Sequence, residues 1–416
     1  MKNFLNSEFN KNIIILLTGT GIATVLPVAV SPILTRLYTP EDMGTLAVFV
    51  GVCLVLGAII NARYELAILL PEDDLEAVSI FSLSFVINCI GTLIISILLF
   101  FFGDLLVGLL ENPELSDWLF LIPITVFLIG LMNTLNTFNN RLKKFKDIAT
   151  AAILKSVALV ITQLGLALLY AGPLGLIVSE FISRLFANLR LYKNVRSKYN
   201  FYELFSFSKL WSVVKRYKKF PLLDVPATLC NLSSFHMISL MMTSYFSASI
   251  AGYFFLTQRV LASPVTLLAN AVSDVFKEKA ARDYKNLGHA KEVFKSTFVK
   301  LLTMSSGVSI LLYFLVEFVF SLVFGTDWAV SGLYAKILIP MLFFRFISVP
   351  LSYMFYIGEK QHLNLLLQAF LLFGIVVSFL LFNKDIYVVR SLSFVFSLFY
   401  AIQLLISAYI AKCFRS

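Results

Sequence analysis

The chain has 416 residues, of which 59% are hydrophobic and only 14% are charged, and its formal net charge is +10. So few charged side chains cannot cover the surface of a soluble protein of this size, which excludes that class and indicates a polytopic membrane protein. The four cysteines form no CxxC pair and the three histidines are widely separated, so we expect neither a disulfide framework nor a bound metal.

Twelve apolar runs are long enough to cross about 30 Å of hydrocarbon as helices. The first has no small-x-small cleavage site, so we interpret it as a retained span and not as a signal peptide. An all-α membrane fold with about twelve transmembrane helices is therefore predicted. The predicted spans are residues 13–35, 43–62, 78–102, 117–138, 148–170, 174–192, 221–245, 249–271, 297–324, 332–357, 363–382 and 388–411.

A polar break after the first span, "LTRLYTPEDMG" at residues 34–44, has a counterpart half a chain later. With an offset of 208 residues, Gly44 falls on Gly252 in "MMTSYFSASIAGYFFL". A second anchor pairs "LFLIP", ending at Pro123, with "KILIP", ending at Pro340. Spans 1 and 4 thus correspond to spans 7 and 10, which predicts two halves of equal membrane orientation related by an axis along the membrane normal.

These correspondences divide the chain into three predicted regions. Residues 1–192 form an N-terminal six-helix bundle, residues 193–220 a basic cytoplasmic linker, and residues 221–416 a C-terminal six-helix bundle. We expect an amphipathic helix in the linker, with its apolar face on the membrane surface. The residues of that face are Phe205, Leu210, Val213, Val214 and Tyr217.

The cations are distributed unequally between the two sets of connections. Of the 34 lysines and arginines, 26 lie in the set that includes both termini, and four lie in the opposite set. The excess of cations marks the cytoplasmic side, so both termini are predicted to be cytoplasmic. The net positive charge follows from this asymmetry and indicates contact with anionic membrane lipids, not with nucleic acid.

Three segments resemble a known family over essentially the whole chain. They are "LTRLYTPEDMG" after span 1, "ARYELAILLPEDDLEA" after span 2, and "KKFPLLDVPATLCNLSS" followed by "IAGYFFLTQRVLASPVTLLANAVSDVFKEKAARD" across spans 7 and 8. In order and spacing these segments are similar to the Wzx-type polysaccharide flippases of the multidrug/oligosaccharidyl-lipid/polysaccharide (MOP) exporter superfamily.

The resemblance implies a fold, an activity and a location. It implies two six-helix bundles that move undecaprenyl-diphosphate-linked oligosaccharides from the inner to the outer leaflet of the bacterial cytoplasmic membrane. Such units build O-antigen, capsule or exopolysaccharide. The protein would be no enzyme and would need no cofactor or catalytic residue. Its partners would be the lipid-linked substrate, membrane lipids, a polysaccharide polymerase and chain-length machinery.

A substrate of this kind needs a wet, cationic cleft, and two arginines fit that requirement. Arg259 and Arg345 lie near the centres of spans 8 and 10, where a cation costs about 2.5–3.5 kcal/mol unless it faces water or a partner. Guanidinium groups bind phosphates by two parallel hydrogen bonds. Arg259 also begins a polar stripe at helical spacing, formed by Ser263, Thr266 and Asn270.

Further polar residues are candidates for the same cleft. Asn133 and Asn140 lie on span 4, Asn231 on span 7, and Arg36 and Arg63 at opposite ends of the first bundle. An alternative is that the amides make helix–helix contacts. The alternative for Arg63 is an ion pair with Glu65 that stabilises the structure at the membrane edge.

Three carboxylates are candidates for ion coupling: Asp224, Glu317 and Glu180. Glu180 and Arg184 lie four residues apart and are also predicted to neutralise one another. Lys155, close to the predicted cytoplasmic end of span 5, is expected to extend its ammonium group to the interface.

Two other functions are open to a polytopic chain of this kind. A multidrug exporter of the same superfamily would favour carboxylates in the first bundle, and span 1 has neither Asp nor Glu. A membrane-embedded polysaccharide polymerase would need a sizeable external loop with catalytic groups, and the predicted external connections are short. The sequence contains no GxxxxGK[ST] motif, so it gives no indication of nucleotide-driven transport.

Overall fold

The computed structural model describes residues 8–109, 112–198 and 207–413. Within these ranges the ordered elements are helices, without a strand, and ten helices are long and apolar enough to cross a membrane. Helices satisfy every backbone hydrogen bond within one segment, which hydrocarbon requires. The all-α polytopic fold is thereby confirmed.

The described residues form two compact units. Unit 1 consists of Met1–Val30 and Leu37–Gly252. It holds most of α1 (Glu8–Leu37), and then α2 (Pro40–Ile59), α3 (Asp74–Leu109), α4 (Leu121–Arg141), α5 (Phe145–Ala167), α6 (Leu174–Lys198), α7 (Phe207–Arg216) and α8 (Val225–Tyr245). It also holds 3₁₀ segments at Tyr64–Leu69 and Pro113–Trp118, a π-helix at Phe220–Asp224, and the first half of α9 (Ala248–Thr257).

Unit 2 consists of Ser31–Arg36 and Tyr253–Ser416. After a second π-helix at Gln258–Ala262 come α10 (Ser263–Leu287), α11 (Lys291–Phe324), α12 (Ala329–Leu351), α13 (Met354–Ile357), α14 (Gln361–Leu381) and α15 (Asp385–Ile410), with a 3₁₀ turn at Thr326–Trp328.

Helices occupy all twelve predicted spans within the described residues. Ten of the predicted spans coincide with the helices that are long and apolar enough to cross a membrane. The other two, spans 6 and 7, coincide with α6 and α8. Unit 1 includes α8, whereas the predicted C-terminal bundle began at residue 221. The division into bundles of 1–192 and 221–416 stays a prediction.

The outer surface is apolar on the longest helices. On α3, Phe100, Phe101 and Phe102 are 85%, 71% and 58% exposed, and Phe314 on α11 is 76% exposed. Exposed apolar surface of this extent is unfavourable in water. Lipid chains cover it without cost, which agrees with a membrane-spanning chain.

The polar break at residues 34–44 is the N-terminal cap of α2. The Thr39 side chain accepts a hydrogen bond from Asp42 N at 3.2 Å, and Asp42 bonds back to Thr39 N, forming a capping box. The start of α9 repeats the first of these two bonds at the offset of 208, because Ser247 Oγ accepts a hydrogen bond from Ile250 N at 3.3 Å. The two polar breaks therefore have the same local cause.

Helices α2 and α9 also meet at the two anchor glycines, inside unit 1. A Cβ added to Gly44 would overlap the carbonyl oxygen of Ala248, and one added to Gly252 would overlap that of Pro40. Residues 40 and 248 are themselves related by the offset of 208. The contact is thus reciprocal, and only glycine allows the two backbones to approach so closely.

The short helix α7 packs against the protein by its apolar face. Leu210, Val213 and Tyr217 are 6%, 3% and 7% exposed and join a core cluster with Tyr64 and Phe81. Arg216 Nη1 donates to both carboxylate oxygens of Glu76 at 2.8 and 2.9 Å. The expectation that this apolar face lies on the membrane surface is wrong, because the 3₁₀ segment Tyr64–Leu69 and the first turns of α3 offer it a hydrophobic surface. Phe205 lies outside the described residues.

Candidate functional site

A cluster of charged residues lies in the middle of the helices of unit 1. Arg184 Nη1 donates to the Glu180 carboxylate and, at 2.7 Å, to the Glu180 carbonyl oxygen. The ammonium group of Lys155 is within electrostatic reach of both. The predicted neutralisation of Glu180 by Arg184 is confirmed, and the cluster carries two cations for one carboxylate.

The position of Lys155 differs from the sequence-based expectation. Because α5 begins at Phe145, Lys155 is the eleventh of its 23 residues, and its Cα is about 15 Å along the helix from its start. It lies too deep for the ammonium group to reach the near end of the helix, so the expected extension to the interface is wrong. The packing of α5 on α6 places it beside Arg184 instead.

In unit 2 a polar seam joins α10, α12, α14 and α15. Arg345 Nη2 donates to Thr266 Oγ1 at 2.9 Å, which brings together the arginine of α12 and the stripe that follows Arg259. One turn further along α12, Ser348 donates to Gln403 at 2.9 Å, and Gln403 donates to Asn364 at 3.4 Å.

Arg259 lies within the π-helix Gln258–Ala262, in the span Ala248–Leu287, and is half-buried. A π-helical turn contains an extra residue and is common at functional sites. The other π-helix ends with Asp224. Each of the two π-helices therefore contains one of the charged candidates.

The candidate amides divide by location. Asn133 Nδ2 donates to the Gly57 carbonyl oxygen at 3.4 Å, a contact between α4 and α2. Asn140 and Asn270 are exposed, and the side chain of Asn231 lies outside the described part of the structure. Among the amides whose side chains are described, Asn133 thus makes a helix–helix contact, and a shared binding site stays a prediction.

Several amides that the sequence did not single out fasten unit 1 together. Asn61 Nδ2 donates to the Gly130 carbonyl oxygen at 2.7 Å and to Thr134 at 3.0 Å. Asn88 bonds the Phe127 carbonyl at 3.0 Å and Asn188 the Leu128 carbonyl at 2.9 Å. The sequence signal that could have identified these asparagines is a polar residue within an otherwise apolar run. They act here as the interhelical contacts that were the alternative for the amides.

The remaining candidates lie near helix ends. Arg36 is exposed and donates to the Pro32 carbonyl oxygen at 2.9 Å. Glu317 is 44% exposed and pairs with Lys336 at 3.3 Å. Arg63 pairs with Glu65 at 3.3 Å, which confirms the predicted ion pair. Neither Arg36 nor Glu317 contacts the mid-span charges of its own unit in the described structure.

Comparison with known proteins gives one family and several structural neighbours. A family model described as "Polysaccharide biosynthesis protein" matches residues 33–332. No curated protein sequence matches the chain.

Three solved structures share the fold. The lipid II flippase MurJ in an inward closed conformation is 17% identical, with a TM-score of 0.72, over 95% of this chain and 87% of that chain. An inward-facing multidrug resistance MATE family transporter of the MOP superfamily is 14% identical, with a TM-score of 0.66, over 96% and 94%. A MOP superfamily transporter from Pyrococcus furiosus is 14% identical, with a TM-score of 0.60, over 99% and 98%.

Proposed function

Because the chain belongs to the polysaccharide biosynthesis protein family, we propose that it is a flippase for oligosaccharides linked to undecaprenyl diphosphate. The fold is that of the MOP superfamily, whose structural neighbours are flippases and transporters. The substrate moves from the inner to the outer leaflet of the bacterial cytoplasmic membrane, with both termini cytoplasmic. The glycan then enters O-antigen, capsule or another surface polymer.

The observation that supports this substrate best is the charge in the middle of the spans. Unit 2 holds Arg345 with a hydroxyl partner, and unit 1 holds Lys155 and Arg184 with one carboxylate. Cations in hydrocarbon are costly, so they serve a polar pathway or a charged ligand. A diphosphate is permanently anionic, and arginine stays protonated at physiological pH.

The mechanism follows from the chemistry of the substrate. No bond is broken, so the protein supplies a polar path for the diphosphate and sugars while the lipid tail stays in the bilayer. Alternating access moves the headgroup past the midplane, where Arg345 and Arg259 offset its charge. The polymerase and chain-length machinery then take the unit at the outer leaflet.

The multidrug exporter is less well supported. An organic cation needs a carboxylate that is available in the membrane, and Glu180, which lies at mid-span in the described part of unit 1, already binds Arg184. The MATE resemblance is one of fold, at 14% identity.

The test is complementation of surface polysaccharide in a strain that lacks the gene. Arg345→Ala removes both the charge and the bond to Thr266, and we expect loss of surface polymer at a normal membrane level of the protein. Arg345→Lys keeps the charge but not the two-pronged guanidinium, so part of the activity should remain.

The matched control is Arg390→Ala, an exposed arginine near the start of α15 whose guanidinium lies 5.9 Å from the Tyr387 ring. It should complement normally. Normal polymer in the Arg345→Ala strain would show that this arginine is structural and would remove the main support for a diphosphate substrate.

A further inference from the structure

The connection that follows α2 buries an ion pair whose two members are incompletely bonded. Glu65 is only 2% exposed and receives one bond from Arg63 Nη1 at 3.3 Å. The second carboxylate oxygen, Glu65 Oε2, is buried without a hydrogen-bond partner, and so is Arg63 Nε. A buried polar atom without a partner is unfavourable, and a bound proton, water or ion is one way to satisfy it.

The backbone that carries these side chains has an unfavourable conformation. Ala62 and Arg63 have φ values of 49° and 63°, in the left-handed region that side-chain-bearing residues rarely adopt. Hydrogen bonds fix the turn: Ala62 N donates to Ile59 O at 2.7 Å, and Tyr64 N donates to Asn61 O at 3.1 Å. Strained backbone of this kind is concentrated at functional sites.

A second carboxylate faces the pair from another element. Asp224, the last residue of the π-helix Phe220–Asp224, is within electrostatic reach of Glu65. Burial, the largest effect, raises the pKa of Glu65; the nearby Arg63 charge and a backbone hydrogen bond lower it, and Asp224 raises it. The net direction is upward, so Glu65 holds a proton at a higher pH than an exposed glutamate does.

The other charged groups around this connection are paired or, like Glu72 and Asp73, exposed. On α3, Glu76 accepts from Arg216 and from the Tyr217 hydroxyl, and Asp74 pairs with Arg141 at 3.0 Å. Arg141 also bonds the carbonyl oxygens of residues 68 and 71. Arg63 and Asp224 are therefore the groups that set the charge of Glu65.

We propose that Glu65, with Arg63 and Asp224, forms a proton-binding site that couples transport to protons. A proton from water binds Glu65 Oε2, turns that acceptor into an O–H donor, and removes the negative charge that faces Arg63 and Asp224. Helix α8 begins at Val225, directly after Asp224, so the change in charge acts on its first turn. The coupling part of the proposal rests on the proposed transport function, whereas the proton site itself does not.

The first test measures the proton on Glu65 without any substrate. Infrared titration of the purified full-length chain in nanodiscs, wild type minus Glu65→Gln, isolates the carboxylic acid band of Glu65. We expect its midpoint to lie above the value of about 4.3 that is usual for glutamate. Asp224→Asn should shift the midpoint down, and Arg63→Gln should shift it up, because each removes one of the two opposing charges.

Glu72→Gln is the matched control, since Glu72 is an exposed carboxylate on the same connection. Unlike Asp224→Asn and Arg63→Gln, it should leave the midpoint of the Glu65 band unchanged. An ordinary midpoint for Glu65 itself, or no response to the two neighbouring substitutions, overturns the proton site and leaves the flippase proposal standing.

The second test asks whether protonation of Glu65 changes the first turns of α8. Amide hydrogen exchange of the first turns of α8 should change across the Glu65 midpoint in the wild type and should not change in Glu65→Gln, after correction for the intrinsic pH dependence of exchange. Exchange that follows the same pH profile in both proteins overturns the coupling.

Discussion

At the scale of single residues, two glycines set the distance between α2 and α9. Gly44 and Gly252 each lie against a carbonyl oxygen of the opposite helix, with no space for a Cβ. Side chains with rotatable ends can move away from a clash, but backbone carbonyls that belong to helices cannot. A methyl group added at either glycine would therefore force the two helices apart and lower the stability of the protein.

Substitution of Gly44 by alanine should destabilise the protein. The added Cβ meets the Ala248 carbonyl and also lies 3.0 Å from the Ala248 Cα. Overpacking of this kind costs about 1–3 kcal/mol. The thermal midpoint of the purified protein in detergent, read by size-exclusion chromatography after heating, should fall.

The control is Gly165→Ala on α5, where a Cβ would have no heavy atom within 4 Å. Alanine is the better helix former by about 0.5–1 kcal/mol, so this variant should be as stable as the wild type or more so. Equal midpoints for both variants would contradict the close approach of α2 and α9.

The sequence shows part of the chemistry at this scale. It identifies Arg345, Arg259 and the Glu180–Arg184 pair, because a charge within an apolar run is visible by itself. It does not bring Lys155 to that pair, since only the packing of α5 on α6 joins them. Nor does it tell Asn133, which bonds the Gly57 carbonyl, from the exposed Asn140 on the same helix.

At the scale of elements, α7 shows that an amphipathic pattern does not specify what covers its apolar face. A membrane surface and a protein surface both accept it. In this protein a protein surface covers the face. The Tyr64 side chain lies in the same core cluster as the apolar face of α7, and its hydroxyl donates to the Val214 carbonyl at 3.4 Å. The exposed face carries Trp211, with the Lys215 ammonium 5.5 Å from its ring.

Val213→Asn should separate these two possibilities. Val213 is 3% exposed in the protein core, so an amide there has no partner and should cost about 1–3 kcal/mol of stability. Trp211→Ala, at a side chain that is 57% exposed, should change stability by about 0.5 kcal/mol or less. If the tryptophan variant lowers the thermal midpoint more than the asparagine variant, the apolar face of α7 does not lie in the protein.

The two π-helices have a common cause in the sequence. Each ends two residues before a proline, at Pro226 and at Pro264. A proline has no N–H to donate, and its ring collides with the carbonyl four residues earlier, here that of Leu222 or Val260. A wider turn relieves that collision. Proline is visible in the sequence, but whether it kinks or widens a helix depends on the packing around it.

At the scale of the whole molecule, the length and hydropathy of the runs are enough to predict twelve helices, because hydrocarbon admits few other structures. The boundaries are less predictable. Helix α10 continues to Leu287, well past the predicted end of span 8 at residue 271, and α3 reaches 36 residues. Beyond the membrane, charged residues favour a helix as readily as a loop.

The orientation predicted from the cations can be tested by labelling. In a chain without its native cysteines, a cysteine at Asp117 should react with a membrane-impermeant maleimide in intact cells, and one at Lys218 should not. Both positions are exposed in the structure, so accessibility within the protein does not decide the result. Reaction at Lys218 in intact cells, with Asp117 protected, would reverse the orientation.

The contact between α2 and α9 also bears on the origin of the chain. Position 44 meets position 248, and position 252 meets position 40, so adding 208 to position 44 and subtracting 208 from position 248 turns the first pair into the second. A patch with this property is self-complementary, as in an isologous two-fold dimer. Two copies of one half-length protein would meet through the same cap and the same glycine. Gene duplication and fusion would preserve that interface inside a single polypeptide.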